Sequence, residues 1–309
     1  MKNTLSIICL FVFSVFYTKK ISVSDAETQK PIPYAKLILK GKDYYRNTEE
    51  NGEITLEKDE EVSEIQSFGY ENLLVQENKA KYFLKPKVIN IKEVQLEKPK
   101  FENSKNVGTL NGDIFGFGGL AATWTVANFF PYQENYSQTK FIKSVRFLSN
   151  FNKKSKGKIK LVFYKNEDGR PSENIWKTYI VECKKAEKLT EYKLERPIPF
   201  PHDGLYVGFE WIVNKENTFK QKLHLKTDST WNVVYRDYNT IRILADKTSK
   251  PEMWVLGKLI WDTSEGMQSK SGPFHQEGWL KYEDFVNKDF NYTKDDFNKR
   301  LSVQLELTD

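Results

Sequence analysis

The stretch KIKLVFYKNEDGRP, residues 158–171, contains the pattern that decides the fold class of this chain. Lys158 and Lys160 alternate with apolar residues, as in a β-strand that has one solvated face and one buried face. Residues 166–171 then supply turn chemistry, because Asn, Asp, Gly and Pro favour tight reversals of the backbone. The stretch therefore predicts an antiparallel strand that ends in a turn.

Similar strand patterns fill the second half of the chain. Candidate strands lie at 141–147, 176–183, 204–213, 223–225, 231–235, 240–244, 253–261 and 301–307. Aromatic residues make up 14% of the chain, and their side chains suit the half-buried surface of a sheet. We expect residues 139–309 to form a jelly-roll-like antiparallel β-sandwich.

The first part of the chain also has short strand patterns, at 21–23, 34–39, 54–56, 73–75, 81–84 and 91–96. Asn51-Gly52 predicts a type I′ hairpin turn, since both central residues of that turn need a positive φ. Gly69 predicts a bulge or a close approach of two backbones. Many short strands at regular spacing indicate a second, smaller sandwich, so the whole chain is predicted to be all-β.

Three pieces of the N-terminal part together resemble the carboxypeptidase regulatory-like domain. They span about a quarter of the chain and are Asp25…Thr28…Pro31–Ala35, Thr48…Asn51–Leu56 and Ser67–Tyr70. Ser22 and Glu49 depart from that family, which often has Gly and Asp there. The resemblance implies a transthyretin-like fold without catalysis. Members occur as accessory modules of metallocarboxypeptidases and at the N-terminus of TonB-dependent receptors and other envelope proteins.

A looser resemblance concerns the second half, where residues 158–171 and 204–211 are similar to galactose-binding-like sandwich domains of envelope proteins. A polar segment near residue 98 separates the two halves. The expected division is a signal peptide at 1–19, a carboxypeptidase regulatory-like sandwich at 20–97, a linker leading into the second domain at 98–138, and the larger sandwich at 139–309.

The N-terminus predicts export. Residues 5–17 form an apolar run after a short positive start. This run fits the hydrophobic region of a signal peptide and is short for a helix that spans a bilayer. No A-x-A cleavage site follows, so an uncleaved anchor is the alternative. We expect an exported protein that is periplasmic, associated with the outer membrane, or secreted. It would have no spanning segment once the signal is removed.

The two cysteines have different contexts. Cys9 lies in the apolar run behind Ile8, which is not a context for lipidation. Cys183 is the only cysteine left after signal removal, and an unpaired thiol is best buried in an oxidising compartment. Its alternation with Tyr179 and Val181 predicts that it shares the buried face of a strand with them.

The charge pattern argues against a nucleic-acid partner. The net charge is +6, with 48 Lys and Arg against 42 Asp and Glu, whereas a nucleic-acid binder concentrates positive charge on one face. The main basic run comprises Lys153, Lys154, Lys156, Lys158 and Lys160. The preferred interpretation of this run is a solvated hairpin tip whose lysines prevent the edge of the sheet from pairing with another chain. Contact with a phosphate or an anionic lipid is the alternative.

The residues that catalysis requires do not occur in recognisable patterns. His202, His224 and His275 are the three histidines, and neither His-x-x-Glu nor His-Glu-x-x-His spacing is present. The glycine cluster 116–119 lacks the Gly-Lys-Ser/Thr of a phosphate loop, and no Gly-x-Ser-x-Gly occurs. His202 is expected in an exposed turn and His224 on the polar face of a strand. We therefore predict no enzyme activity, no metal and no cofactor, with convergent histidines as the alternative.

The candidate binding residues are Glu210, Phe274, His275 and Trp279. Glu210 lies within an aromatic strand, where a carboxylate is either buried and paired, or faces a cleft, or points outward to solvent; the outward position is preferred. The loop 266–279 mixes Gly, Ser and Pro with aromatic residues and is the first choice for a binding rim.

These patterns favour a non-catalytic binding or structural module of the Gram-negative cell envelope. Its partner would be a glycan, a peptide or an envelope protein, since all of these are bound by aromatic-rich exposed surfaces. One alternative is a carbohydrate-active hydrolase with an unrecognised carboxylate pair. Another is an accessory partner of a TonB-dependent uptake system.

Overall fold

The computed structural model describes residues 19–42, 44–88, 98–112, 115–118, 123–227, 230–249, 252–258, 261–263, 266–268, 278–282 and 298–309. Twenty-five β-strands and one short 3-10 helix, Glu134–Tyr136, make up its elements. The prediction of an all-β chain with several antiparallel sheets is therefore confirmed. In this part of the chain there is no helix with the length and apolarity needed to cross a bilayer.

The N-terminal sandwich has seven strands: β1 (Lys19–Asp25), β2 (Lys36–Leu39), β3 (Tyr45–Asn47), β4 (Glu53–Leu56), β5 (Val62–Gln66), β6 (Leu73–Leu74) and β7 (Lys81–Leu84). One sheet has the order β4-β1-β7, with β1 and β7 parallel, and the other has the order β3-β2-β5-β6. Alternate residues such as Ile21 and Val23 on β1 pack against Leu37 and Leu39 on β2. Burial of apolar faces thus holds the two sheets face to face.

The turn at Asn51-Gly52 differs from the predicted type I′ hairpin. Gly52 has a φ of +75°, but Asn51 does not have a positive φ. The turn joins β3 to β4, which belong to different sheets. Gly52 is needed because a Cβ there would lie 2.8 Å from the carbonyl oxygen of Val23. The predicted turn type was wrong because this close approach, which the local sequence does not reveal, sets the conformation.

The three pieces of sequence quoted for the resemblance meet in the N-terminal sandwich. The Asp25 carboxylate accepts hydrogen bonds from the backbone N–H of Thr28 at 2.8 Å and from the Tyr70 hydroxyl at 2.9 Å. The Thr48 hydroxyl accepts from the N–H of Ala35 at 2.9 Å and donates to the carbonyl of Ile32 at 3.1 Å. These bonds satisfy polar groups in turns that would otherwise be unpaired.

The first sheet of the C-terminal sandwich contains β10 (Thr123–Phe130), β12 (Lys156–Glu167), β13 (Arg170–Pro171), β14 (Lys177–Lys184), β16 (Leu205–Trp211), β20 (Met253–Lys258) and β23 (Trp279–Lys281). Its order is β12-β16-β10-β20-β23, with β13 and β14 both paired to β12. On β12, Ile159, Leu161 and Phe163 enter the core between the sheets. The alternate residues, including Lys158 and Lys160, lie on the outer face.

The second sheet packs on the same core and contains β8 (Ser104–Gly108), β9 (Phe115–Phe117), β11 (Phe141–Phe151), β15 (Leu189–Pro199), β19 (Ile241–Lys247), β24 (Lys299–Leu301) and β25 (Val303–Thr308). Its order is β24-β19-β11-β25-β8, with β15 on β11 and β9 on β19. The core unites Val145 and Phe147 of this sheet with Phe209 of the first.

Strands β8, β9 and β10 lie within residues 98–138, where a linker is expected, but they are integral to the C-terminal sandwich. β10 runs between β16 and β20 in the middle of the first sheet. Its Val126 and Phe130 are buried in the core. Because a central strand must pair on both sides and bury its side chains, this segment belongs to the second sandwich rather than to a flexible connection.

One long hairpin stands apart from both sheets. Strands β17 (Thr218–Thr227) and β18 (Thr230–Asn239) pair with each other as a separate two-stranded sheet. A second, short pair is formed by β21 (Trp261–Thr263) and β22 (Gly266–Gln268). The long hairpin begins shortly after residues 211–215, which contact the N-terminal sandwich, and this position matters for the site.

Candidate functional site

The predicted binding residues are not brought together at one exposed surface. Phe274 and His275 lie outside the described residues. Trp279 is buried: its indole N–H donates to the carbonyl of Ser172 at 3.2 Å, and its ring packs edge-on against Tyr164 at 4.9 Å. Trp279 therefore fills a small apolar cluster on the outer face of the first sheet and offers no exposed ring.

Glu210 points away from the core of its own sandwich, as the alternation on β16 predicts, but it is only 4% exposed. The N-terminal sandwich covers this face. The Glu210 carboxylate accepts hydrogen bonds from the ammonium groups of Lys36 and Lys160, the latter at 2.9 Å. The preferred outward, solvated position was wrong, and the buried, paired alternative is confirmed, because alternation fixes a face but not what covers it.

In this buried triad the surroundings favour the charged form of Glu210 but disfavour the charged form of Lys36. Burial raises the pKa of Glu210, but the positive charges of Lys160 and Lys36 outweigh it and lower the pKa to about 2. For Lys36 the balance goes the other way, since burial lowers its pKa more than Glu210 raises it. The cost of desolvating Lys36 therefore offsets part of the stabilisation that the ion pairs of the triad provide.

Residues 45–49 of the N-terminal sandwich and residues 211–215 of the C-terminal sandwich lie against each other along a line that we call the seam. The N–H of Asn47 donates to the carbonyl of Val213 at 2.8 Å, and the N–H of Val213 donates to Asn47 Oδ1 at 2.8 Å. Such reciprocal bonding, in which Asn47 uses its backbone N–H and its side-chain oxygen, fixes one sandwich against the other more firmly than surface ion pairs do.

The basic run contributes to the same contact. Lys158 donates to the Tyr34 hydroxyl at 2.8 Å and to the Glu50 carboxylate at 2.9 Å, both on the N-terminal sandwich. Lys154 donates to the carbonyl of Lys215 at 2.6 Å. The predicted solvated hairpin tip was therefore wrong for Lys158, which joins Lys160 in the contact between the sandwiches, and for Lys154, which is bonded within the C-terminal sandwich beside the seam. Lys153 and Lys156 remain exposed.

A cleft of about 630 Å³ opens where the N-terminal sandwich, the seam and the base of the long hairpin meet. Its lining includes Arg46, Glu49, Glu57, Phe219, Lys220 and Asp237. This volume lies within the range of roughly 300–1,000 Å³ that is usual for small-ligand sites.

Ion pairs cross this cleft from the N-terminal sandwich to the hairpin. Arg46 binds Asp237 at 2.7 Å and Glu60 at 2.9 Å, and Lys220 binds Glu57 at 3.0 Å. The Arg46 guanidinium is mostly buried, whereas the Lys220 pair is exposed. The base of the hairpin is thus anchored by one buried ionic bridge and one solvent-screened pair.

The remaining titratable residues show no constellation typical of catalysis or metal binding. His202 and His224 are exposed, as predicted. Cys183 is buried on one face with Val181 and against Tyr179, also as predicted, and burial raises its pKa to about 12. Within the ranges that the structure describes, no three His, Cys, Asp or Glu side chains are grouped so that they could hold a metal ion.

Sequence reasoning missed the seam and the cleft. A usable signal existed, since Lys158 and Lys160 alternate on one strand and Glu210 is a charge within an aromatic strand. In the structure Lys160 and Glu210 are direct cross-strand neighbours. Comparison with known proteins adds nothing to these observations: no family model, no curated protein and no solved structure matches the chain.

Proposed function

We propose that the protein is a non-catalytic binding module of the cell envelope, and that it holds a polar ligand, in the first place a glycan, in the cleft. The observation that carries the proposal is a cleft of about 630 Å³ whose walls come from both sandwiches. Charged, amide and hydroxyl residues make up most of its lining, and Ile54 and Phe219 are its apolar members. Sugars present hydroxyl groups and an apolar face, which such a lining complements.

The state of the cleft carboxylates favours binding over hydrolysis. Glu57, Glu60 and Asp237 are each paired with a cation. A general acid needs a carboxyl group with a raised pKa. Glu49 meets this condition, because burial raises its pKa, but its carboxylate accepts the N–H of Lys215. A glycoside hydrolase would pair such an acid with a second, ionised carboxylate about 5–10 Å away that acts as nucleophile or base.

The placement in the envelope rests on the sequence. The apolar run at residues 5–17 has the form of an export signal, and the N-terminal pieces resemble the carboxypeptidase regulatory-like domain of envelope proteins. The transthyretin-like and jelly-roll-like arrangements of the two sandwiches are part of this proposal, as is a periplasmic or outer-membrane location.

A glycan array with the purified chain, run beside a pull-down from envelope extract, tests the proposal. We expect saturable binding of a glycan that Phe219→Ala weakens by about tenfold. Phe83→Ala is the matched control, because Phe83 is an exposed ring that does not line the cleft. If no glycan binds and one specific protein is retained from the extract, the ligand is an envelope protein, such as an uptake receptor, and not a glycan. Hydrolysis of a bound glycan that Glu49→Gln abolishes would establish the enzyme alternative.

A further inference from the structure

The face of the long hairpin that lines the cleft continues outward beyond it. Lys220 and Asp237 are direct cross-strand partners and face the N-terminal sandwich through their ion pairs. Side chains on a strand alternate between two faces with a period of two. The next pairs on the same face are therefore Lys222 with Tyr235 and His224 with Val233.

These four residues, which we call the arm face, are exposed. Tyr235 is 60% exposed and Val233 is 49% exposed, and both rank among the most exposed large apolar side chains of the described residues. Lys222 and His224 are also exposed. In contrast to Lys220 and Asp237 at the base, the four have no ion pair or side-chain hydrogen bond with any described residue.

A two-stranded hairpin gains little stability by exposing apolar surface. Strand β22 lies close to β17, but the arm face stays exposed. An exposed aromatic ring next to a lysine that makes no ion pair with the described residues is instead typical of a surface that a ligand covers. From residue 220 to residue 224 the strand advances about 13 Å, so the ligand that reaches both the cleft and the arm face is extended.

We propose that the arm face extends the cleft into one continuous site for an acidic glycan chain, whose carboxylate or sulfate groups lie by Lys222 and whose sugar rings pack on Tyr235. This inference rests on the proposed function and specifies its ligand. Charge complementarity supports it, because Lys222 has no ion pair with any described residue, whereas Glu57, Glu60 and Asp237 of the cleft already hold cations of their own.

Binding of defined polysaccharides to the full chain tests the inference. The probes are polygalacturonate for carboxylates, chondroitin sulfate for sulfates, and dextran as a neutral chain. We expect at least one acidic probe to bind, more weakly as salt is raised, and dextran not to bind. Tyr235→Ala and Lys222→Glu should each weaken binding of the acidic probe by about tenfold. The comparison of the two acidic probes identifies the acidic group.

Two control variants have matched chemistry away from the arm face. Phe83→Ala removes an exposed ring, and Lys193→Glu reverses an exposed lysine; both should bind as the wild type does. Thermal unfolding of all four variants should match the wild type, since each altered side chain is exposed.

Three outcomes would overturn the inference. Equal binding of dextran and acidic probes, with sensitivity only to Phe219→Ala, leaves the glycan-binding cleft in place and removes the arm face from it. Equal binding of a single-stranded oligonucleotide makes the arm face a general polyanion surface. Absence of binding to every glycan, with a specific protein retained from envelope extract, overturns both the inference and the proposed ligand of the cleft.

Discussion

At the scale of single residues, Glu210 shows how a buried charge is tolerated. Desolvating a carboxylate is costly unless opposite charges and hydrogen bonds compensate for it. Lys160 is supplied by the neighbouring strand and Lys36 by the other sandwich, 174 residues away in sequence. Such a triad contributes less to net stability than to selecting one arrangement of the two sandwiches, because any other arrangement would leave a charge unpaired.

Removing the charge of Glu210 should be costly. Glu210→Gln leaves two ammonium groups buried beside each other, and we expect the free energy of unfolding to fall by about 3 kcal/mol. Urea denaturation at neutral pH measures the change. Glu53→Gln is the matched control, because its pair with Lys20 has side-chain exposures of 36% and 65% and should change stability by less than about 1 kcal/mol. Equal effects of the two substitutions would show that the triad is not desolvated.

The same carboxylate makes stability depend on acid pH. Its pKa is lowered from 4.5 to about 2 in the folded protein. A lowered pKa means that the carboxylate contributes its stabilisation above pH 4.5 and loses it as the pH falls from 4.5 toward 2. The difference in unfolding free energy between wild type and Glu210→Gln should shrink across that window. If the difference in unfolding free energy between the two proteins stayed constant from about pH 5 to about pH 2, the lowered pKa of Glu210 would be contradicted.

Cys183 is predicted to be inert while the protein is folded. Burial raises the pKa of its thiol from 9.0 to about 12, and only the thiolate reacts with disulfide reagents. In a Cys9→Ser chain, labelling of Cys183 should be on the order of a thousandfold slower than for the unfolded chain. Rapid labelling of the folded protein, at a rate that denaturant does not increase, would rule out this buried position.

The two residues also mark what sequence can predict. The burial of Cys183 follows from alternation within one strand and was confirmed. The surroundings of Glu210 depend on Lys36, which belongs to another sandwich, and no local pattern connects them. Phe274 and His275 stay predictions, and Trp279 was chosen from loop composition although its ring is needed to pack against Tyr164.

At the scale of elements, strands with strong alternation were the easiest to predict. The strand predicted at 141–147 is the first part of β11, and the one at 158–164 lies within β12. β10 was not predicted, because its sequence TWTVANFF mixes three polar with five apolar residues and has no sustained period of two. The turn at Asn51-Gly52 was located correctly, but its type depends on contact with β1 and with Pro31.

Substitution at Gly52 separates backbone strain from crowding. Gly52→Ala introduces both a strained φ and a Cβ that lies 2.8 Å from the Val23 carbonyl oxygen, and we expect a loss of about 3 kcal/mol or more. Gly41→Ala is the matched control, since Gly41 has a φ of +68° but no atom within 4 Å of the added Cβ. It should cost only about 1–2 kcal/mol. Similar losses for both variants in urea denaturation would show that the close approach can relax.

At the scale of the whole molecule, the seam should make the two sandwiches unfold together. Calorimetry of the wild type should give one transition, because separation of the sandwiches would break the Lys36–Glu210 pair and the hydrogen bonds of the seam. Asn47→Ala removes the acceptor for the N–H of Val213 and should lower the transition temperature and separate it into two. Asn51→Ala, at an exposed turn residue, should leave one transition. Two transitions in the wild type would show that the sandwiches are independent.

The position of β25 has a consequence for the order in which the chain folds. β25 lies between β11 and β8, and its contacts join residues 163 and 205 positions apart. Contacts so distant in sequence form slowly, and here they also wait for synthesis to reach residue 308. Strands β1 to β7 are complete within the first 84 residues. We therefore expect the N-terminal sandwich to fold first, with Lys36 and Tyr45 exposed to solvent until the rest of the chain packs against them.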